Sequence, residues 1–190
     1  MSDKNIVERL IKLEAKFKES SFLNNQGLGN EVGIHVFSYD PKDELIVRDF
    51  IKRITVASHV QPYRAYENDL FEIFLQVCDD FDILVDLFEF EKKNSGQQVI
   101  TQISNFASPQ EYLAKFKPEN RVKGQDIVLI SGVGKVFPFM RSHVILENIQ
   151  PIISDVPVVL FYPGDYTNQT LRLFNHLNEA NYYRAFKIAD

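Results

Sequence analysis

The sequence predicts an α/β fold: a single layered domain with a mostly parallel central sheet flanked by helices, and an amphipathic helix at the N-terminal end. Three observations carry that expectation. Segments rich in β-branched and aliphatic residues alternate with segments of helical periodicity, the order that builds strand–helix–strand units. Two strand segments, 127–130 and 158–161, are apolar without interruption, as strands covered on both faces are. Both runs end in glycine and polar groups, in DIVLISGVGKVFPFMRSH (126–143) and VPVVLFYPGDYTNQTLRLF (156–174). Flexible backbone and charge therefore stand at the ends of buried strands, where open α/β sheets bind ligands and partners.

Taken in order, Ile6, Leu10, Ile11, Leu13 and Phe17 recur at helical spacing, with charged residues filling the other face. The turn-rich NNQGLGN (24–30) ends that helix. GIHVFSY (33–39) reads as a strand. Asp40 as N-cap, Pro41 at the first helical position and Asp43 and Glu44 in the first turn then open a second helix, with Leu45, Ile46, Phe50, Ile51 and Ile54 as its buried face. A strand is expected over 63–67. From Glu67 to Glu91 there are nine acidic residues and no basic one. Leu70, Phe71, Phe74, Val77, Cys78, Phe81, Leu84, Val85 and Phe88 give this segment one helical stripe, broken near Asp79-Asp80. It reads either as an acidic docking face for a basic partner or as a solvated face over a core stripe, and the second reading is favoured. A helix over 97–106 follows, then a capping box at Ser108–Glu111 opening a helix through Phe116, the strand 126–130, a helix after Pro138, the strand 158–162 and a last strand over 182–188.

A chain of 190 residues suits one domain spanning 1–190. Hydrophobic residues at 45% and charged residues at 25% exclude a disordered or fibrous class. The single cysteine, Cys78, permits no internal disulfide and fits a reducing compartment; it reads as a small core residue. The N-terminus is charged every few residues, unlike a signal peptide, and no apolar stretch approaches the ~20 residues a membrane helix needs, so a cytoplasmic protein without a membrane partner is expected. Residues 1–95 carry 12 Lys and Arg against 18 Asp and Glu, whereas 96–190 carry 9 against 8. That balance argues against nucleic-acid binding by phosphate neutralisation; a local patch of Arg121, Lys123, Lys135 and Arg141 is the weaker alternative.

Gly132-Val133-Gly134-Lys135 after a strand is similar to a phosphate-binding loop, but the first glycine of such a loop is replaced by Leu129 and its Ser or Thr by Val136. Anion binding without hydrolysis is the milder reading. Arg141 and His143, two apart, point about 200° from one another on a shared helix; Arg141 pairs with a carboxylate, lies on the helix surface or contacts a partner. In a parallel sheet Asp40, Gly132, Lys135, Gly164 and Asp165 fall at strand carboxyl ends, and with Gly134, Arg141 and His143 they make the candidate contact set. The simpler alternative gives the glycines to turns and Asp40 to capping. No Gly-x-Ser-x-Gly elbow is present, and the histidines at 35, 59, 143 and 176 lack metal-ligand spacing, so no metal or cofactor is expected. In NYYRAF (181–186), Tyr182, Arg184 and Phe186 share a strand face, read as core rather than as a base-stacking platform.

Four ordered blocks, FSYDPKDELIVRDF (37–50), GVGKVFPFMRSHVILENIQ (132–150), VPVVLFYPGDYTNQTLRLF (156–174) and NYYRAFKI (181–188), carry a resemblance to the BrxB family of BREX bacteriophage-defence systems. The resemblance covers nearly the whole chain. It implies a small cytosolic subunit encoded with a large ATPase, a DNA methyltransferase and the phosphatase-superfamily protein PglZ. It implies association with PglZ or another BREX subunit rather than catalysis, and it brings no catalytic residues to carry over.

Overall fold

The computed structural model describes residues 5–26, 33–167, 170–181 and 185–189. Helix α1 (Ile6–Phe17) begins where the Asn5 side chain accepts the Val7 amide, and it buries Ile6, Leu10, Leu13 and Phe17. Ile11, expected on that face, is 63% exposed: one residue on from Leu10 it is turned about 100° off the stripe. A short helix not expected from sequence, α2 (Ser20–Leu23), adds Phe22 and Leu23 to the same core. After strand β1 (Ile34–Tyr39) the Asp40 cap starts a 3-10 turn at Pro41–Asp43 and then α3 (Glu44–Val56). The buried stripe of α3 is Val47, Phe50, Ile51 and Ile54, an i, i+3, i+4, i+7 set that leaves Leu45 and Ile46, expected inside, exposed.

Strand β2 (Arg64–Asp69) leads directly into α4 (Leu70–Asp80), and α5 (Leu84–Glu91), α6 (Gly96–Ser104) and α7 (Pro109–Ala114) follow. Next come β3 (Asp126–Ser131), a single turn α8 (Val133–Val136) and α9 (Ser142–Ile149). The chain ends in β4 (Val158–Thr167), β5 (Thr170–Leu173), β6 (Leu177–Asn181) and the two-residue β7 (Phe186–Lys187). Residues 182–184 of the expected last strand, and 27–30 of the early loop, lie outside the described residues.

The sheet has the order β2-β3-β4-β1-β7, parallel throughout, and β4 continues into an antiparallel arm with β5 and β6. Strand periodicity of two divides its side chains between two cores. Ile34, Val36, Val128, Ile130, Val158, Leu160 and Tyr162 face the core covered by α4 to α9. Phe37, Tyr39, Ala65, Ile127, Leu129, Val159 and Phe161 face the core closed by α1, α2 and α3. The prediction of doubly covered central strands therefore holds for β3 and for the first half of β4.

The acidic segment corrects the single-stripe expectation. Its first three residues, Glu67 to Asp69, belong to β2, and the helical break falls at 81–83, with Asp82 at φ 52°. That turn reorients the chain, so periodicity counted across it fails. Leu70, Ile73, Phe74, Val77 and Cys78 of α4 are buried, while no residue of α5 is, and Phe81, Val85 and Phe88 are exposed. Burial pushes the Cys78 thiol up to about 11, in keeping with a core role.

His35 points from β1 between the rings of Phe22 and Phe186, at centroid distances of 4.9 and 5.9 Å. Desolvation, helped by the charge of Lys16, depresses its pKa to about 4. The unfolded chain thus binds a proton between about pH 6.5 and 4 that the folded chain refuses, so stability present above pH 6.5 is lost as pH falls through that window. Going from pH 7 to pH 5 is expected to remove about 2 kcal/mol by this route. Urea titrations at both values check it: His35→Gln should flatten the dependence, and an unchanged slope would contradict the assignment.

Candidate functional site

The carboxyl ends of β2 and β3 meet at Asp69, Gly132 and Lys135. Asp69 caps α4: its Oδ1 accepts the amides of Phe71 and Glu72 at 2.9 and 3.3 Å. Its Oδ2 accepts a hydrogen bond from Lys135 Nζ, and the ammonium also lies 6.0 Å from the centroid of the Phe71 ring. A carboxylate at a helix N-terminus and a lysine counter-ion reinforce one another, and neither is fully solvated. The lysine read as a phosphate cradle is thus neutralised from within the chain.

The glycines of the loop are required by close approach. Gly132 has φ 73°, and a Cβ there would stand 2.2 Å from Asp69 Oδ1. A Cβ on Gly134 would meet the Phe174 ring at 2.8 Å, so that glycine lets the β5–β6 arm pack against α8. Gly164 corrects another expectation. The segment read as a turn is continuous strand, with Gly164 opposite Leu173 and Asp165 opposite Arg172, because β5 takes over as partner where β1 ends. At φ 154° a Cβ on Gly164 would fall 2.2 Å from the Arg172 carbonyl oxygen.

The remaining predicted residues spread outward. Asp40 follows the last residue of β1 and accepts the Lys42 amide at 3.0 Å, a bond that holds its carboxyl below the usual range. Arg141 is not within a helix but stands at the N-cap position of α9 without a side-chain capping bond, its guanidinium 5.5 Å from the Phe137 ring centroid. His143, in the first turn of α9, has a buried Nδ1 without a hydrogen-bond partner among the described residues. Of the four cations read as a DNA patch, Arg121 pairs with Asp155 at 3.1 Å and Lys135 with Asp69. No cluster of three metal-ligating side chains occurs among the described residues.

Beside Asp69 runs a polar cleft of about 220 Å³, lined by Glu67, Asn68, Asp69, Glu72, Gln76 and Lys117 among others. Asn68 anchors its wall, since Nδ2 donates to the Lys117 carbonyl at 3.0 Å and Oδ1 accepts the Lys117 amide at 2.7 Å. Sequence reasoning missed Asp69 because it starts the helical segment at Glu67, whereas β2 runs to Asp69 and α4 begins at Leu70. The signal was present: Asp69 followed three residues later by Glu72, ahead of an apolar run, is the signature of a helix start. A second cleft, of about 250 Å³ and largely apolar, separates α1 from α3 and exposes Val7, Ile11 and Ile46. No helix among the described residues is long and apolar enough to cross a membrane.

Fold and loops together define a layered α/β protein with a parallel sheet, whose principal strand-end charge is paired internally. Comparison with known proteins places it further. Residues 66–188 match the family model for BREX protein BrxB. The BREX protein BrxB of Bacillus cereus (strain H3081.97) is 36% identical over 200 residues that span 98% of this chain and 99% of the relative. The BREX protein BrxB of Escherichia coli O9:H4 (strain HS) is 25% identical over 189 residues, 99% of this chain and 94% of the relative. The chain belongs to the BrxB family. No solved structure matches it.

Gly132→Ala is expected to cost about 1–3 kcal/mol, from left-handed strain and displacement of Asp69. Asp69→Ala should cost about 2 kcal/mol, roughly half from the lost cap and the rest from a lysine deprived of its counter-charge. Chemical denaturation reads both, and a loss below about 0.5 kcal/mol for either would contradict the geometry.

Proposed function

We propose that this chain is a non-catalytic subunit of a BREX anti-phage system, acting in the cytoplasm as a single BrxB-like domain over residues 1–190. In this reading it is an adaptor that docks another protein of the system, the PglZ-type phosphatase-superfamily subunit in first place and the BREX ATPase in second. The observation that carries the reading is similarity to two BREX proteins over almost the full length of all three chains. Neither relative's name specifies a reaction.

The strand-end geometry supports it. A catalytic centre in such a sheet needs an activated nucleophile or a charge free to meet a substrate, and here Lys135 is spent on Asp69 while Gly132 and Gly134 serve packing. Apolar side chains on the outer helices, by contrast, are left exposed.

Affinity purification of the tagged chain, co-expressed with the other subunits of its operon, tests the reading. Stoichiometric recovery of PglZ or the ATPase is expected; recovery of neither would sink it. Calorimetry with ATP and GTP at millimolar concentration should give no binding heat, and saturable heat would favour a nucleotide-binding domain instead.

A further inference from the structure

We propose that the outward face of α5 is a docking surface for a protein partner that presents an apolar pocket rimmed by lysine or arginine. This rests on the adaptor reading above and names the surface that performs the docking.

The helix LVDLFEFE has five large apolar residues and buries none of them. It is nevertheless fixed: Leu84, Leu87 and Phe90 pack partly against the core, and the helix lies against α4 and α6. On the other side Val85 is 75% and Phe88 56% exposed, and three residues apart they share a face. Phe81, at the end of α4, adds a third exposed side chain, its ring 5.9 Å from that of Phe106. An exposed aromatic and aliphatic pair on one face of an anchored helix has the form of binding anchors that fill a partner's groove.

Charge selects the occupant. Asp79, Asp80, Asp82, Asp86, Glu89 and Glu91, on the same stretch of chain, are all exposed. Asp80 is held by Lys115 and Glu89 by Lys92, but Asp82, Asp86 and Glu91 make no ion pair among the described residues. Apolar side chains on a helix with acids only partly neutralised complement a partner surface with a cationic rim. The same charge opposes a second copy of this chain through this face, an anionic lipid surface or nucleic acid. The α1–α3 cleft gives no such direction, since it pairs its apolar lining with one acid, Asp49, and one base, Arg53.

The test compares variants of the full chain in the operon co-expression described above, with captured subunits identified by mass and quantified. Val85→Ser/Phe88→Ser and Asp86→Lys/Glu91→Lys alter exposed helical positions, so the melting midpoint should hold while capture falls about tenfold or more in each. Capture by the wild type should also weaken with added salt. Should the apolar pair lower the midpoint, the charge-reversed pair decides alone. A BREX subunit captured equally by wild type and α5 variants overturns the surface and leaves the adaptor reading standing. So does loss confined to Ile11→Ser/Ile46→Ser or to Arg141→Glu. A wild type that captures no subunit overturns the adaptor reading, and the surface with it.

Discussion

Burial of both faces of β1, β3 and the first half of β4 is the constraint on which the rest of the molecule depends. Every residue of β1 and β3 is buried, so their backbone polar groups must be satisfied within the ladder and their side chains need a helical cover on each side. The cover is unequal. Helices α1, α2 and α3 close one face around Phe17, Phe37 and Phe161, and a larger set closes the other around Tyr112, Tyr162 and the aliphatic residues of α9. With the interior committed in this way, polar chemistry is confined to strand ends and recognition to the outer surfaces of helices.

At the strand ends the competition between outward and inward use of charge is decided by Asp69. One oxygen of its carboxylate satisfies two amides at the start of α4, and the other engages the lysine. Releasing that lysine to an external anion would leave a partly buried carboxylate without its counter-charge, a cost set against whatever the anion gained. On α5 the balance runs the other way. Val85, Phe88, Asp86 and Glu91 are already solvent-facing, and the two acids are in no ion pair among the described residues, so a partner would desolvate them without first breaking an internal bond.

Much of this architecture was legible in the sequence because the evidence for it is local. The uninterrupted apolar runs at 127–130 and 158–161 mark central strands, and the Asp40-Pro41 start of a helix lies where expected. What was not legible depends on orientation after a turn. The positive φ at Asp82 resets the helical phase, so Val85 and Phe88 count as core in one dimension and as surface in three. Likewise Pro163-Gly164 carries turn residues, yet β5, the next strand in the chain, pairs back across Gly164 and keeps it in the ladder, so strand pairing overrides residue preference. At the strand ends, Gly132 and Lys135 were identified as a pair of interest from their spacing. Their partner Asp69 is 66 residues from Lys135, a separation that no local pattern spans.

Cys78 has a practical corollary. The chain has no other cysteine, and this one is fully buried with its thiol pushed up to about 11, so at neutral pH it offers electrophiles almost no thiolate and no access. For labelling chemistry the native surface is therefore thiol-free. A cysteine introduced at any exposed position becomes the sole reactive handle for a fluorophore, spin label or photocrosslinker, without first engineering the natural sequence.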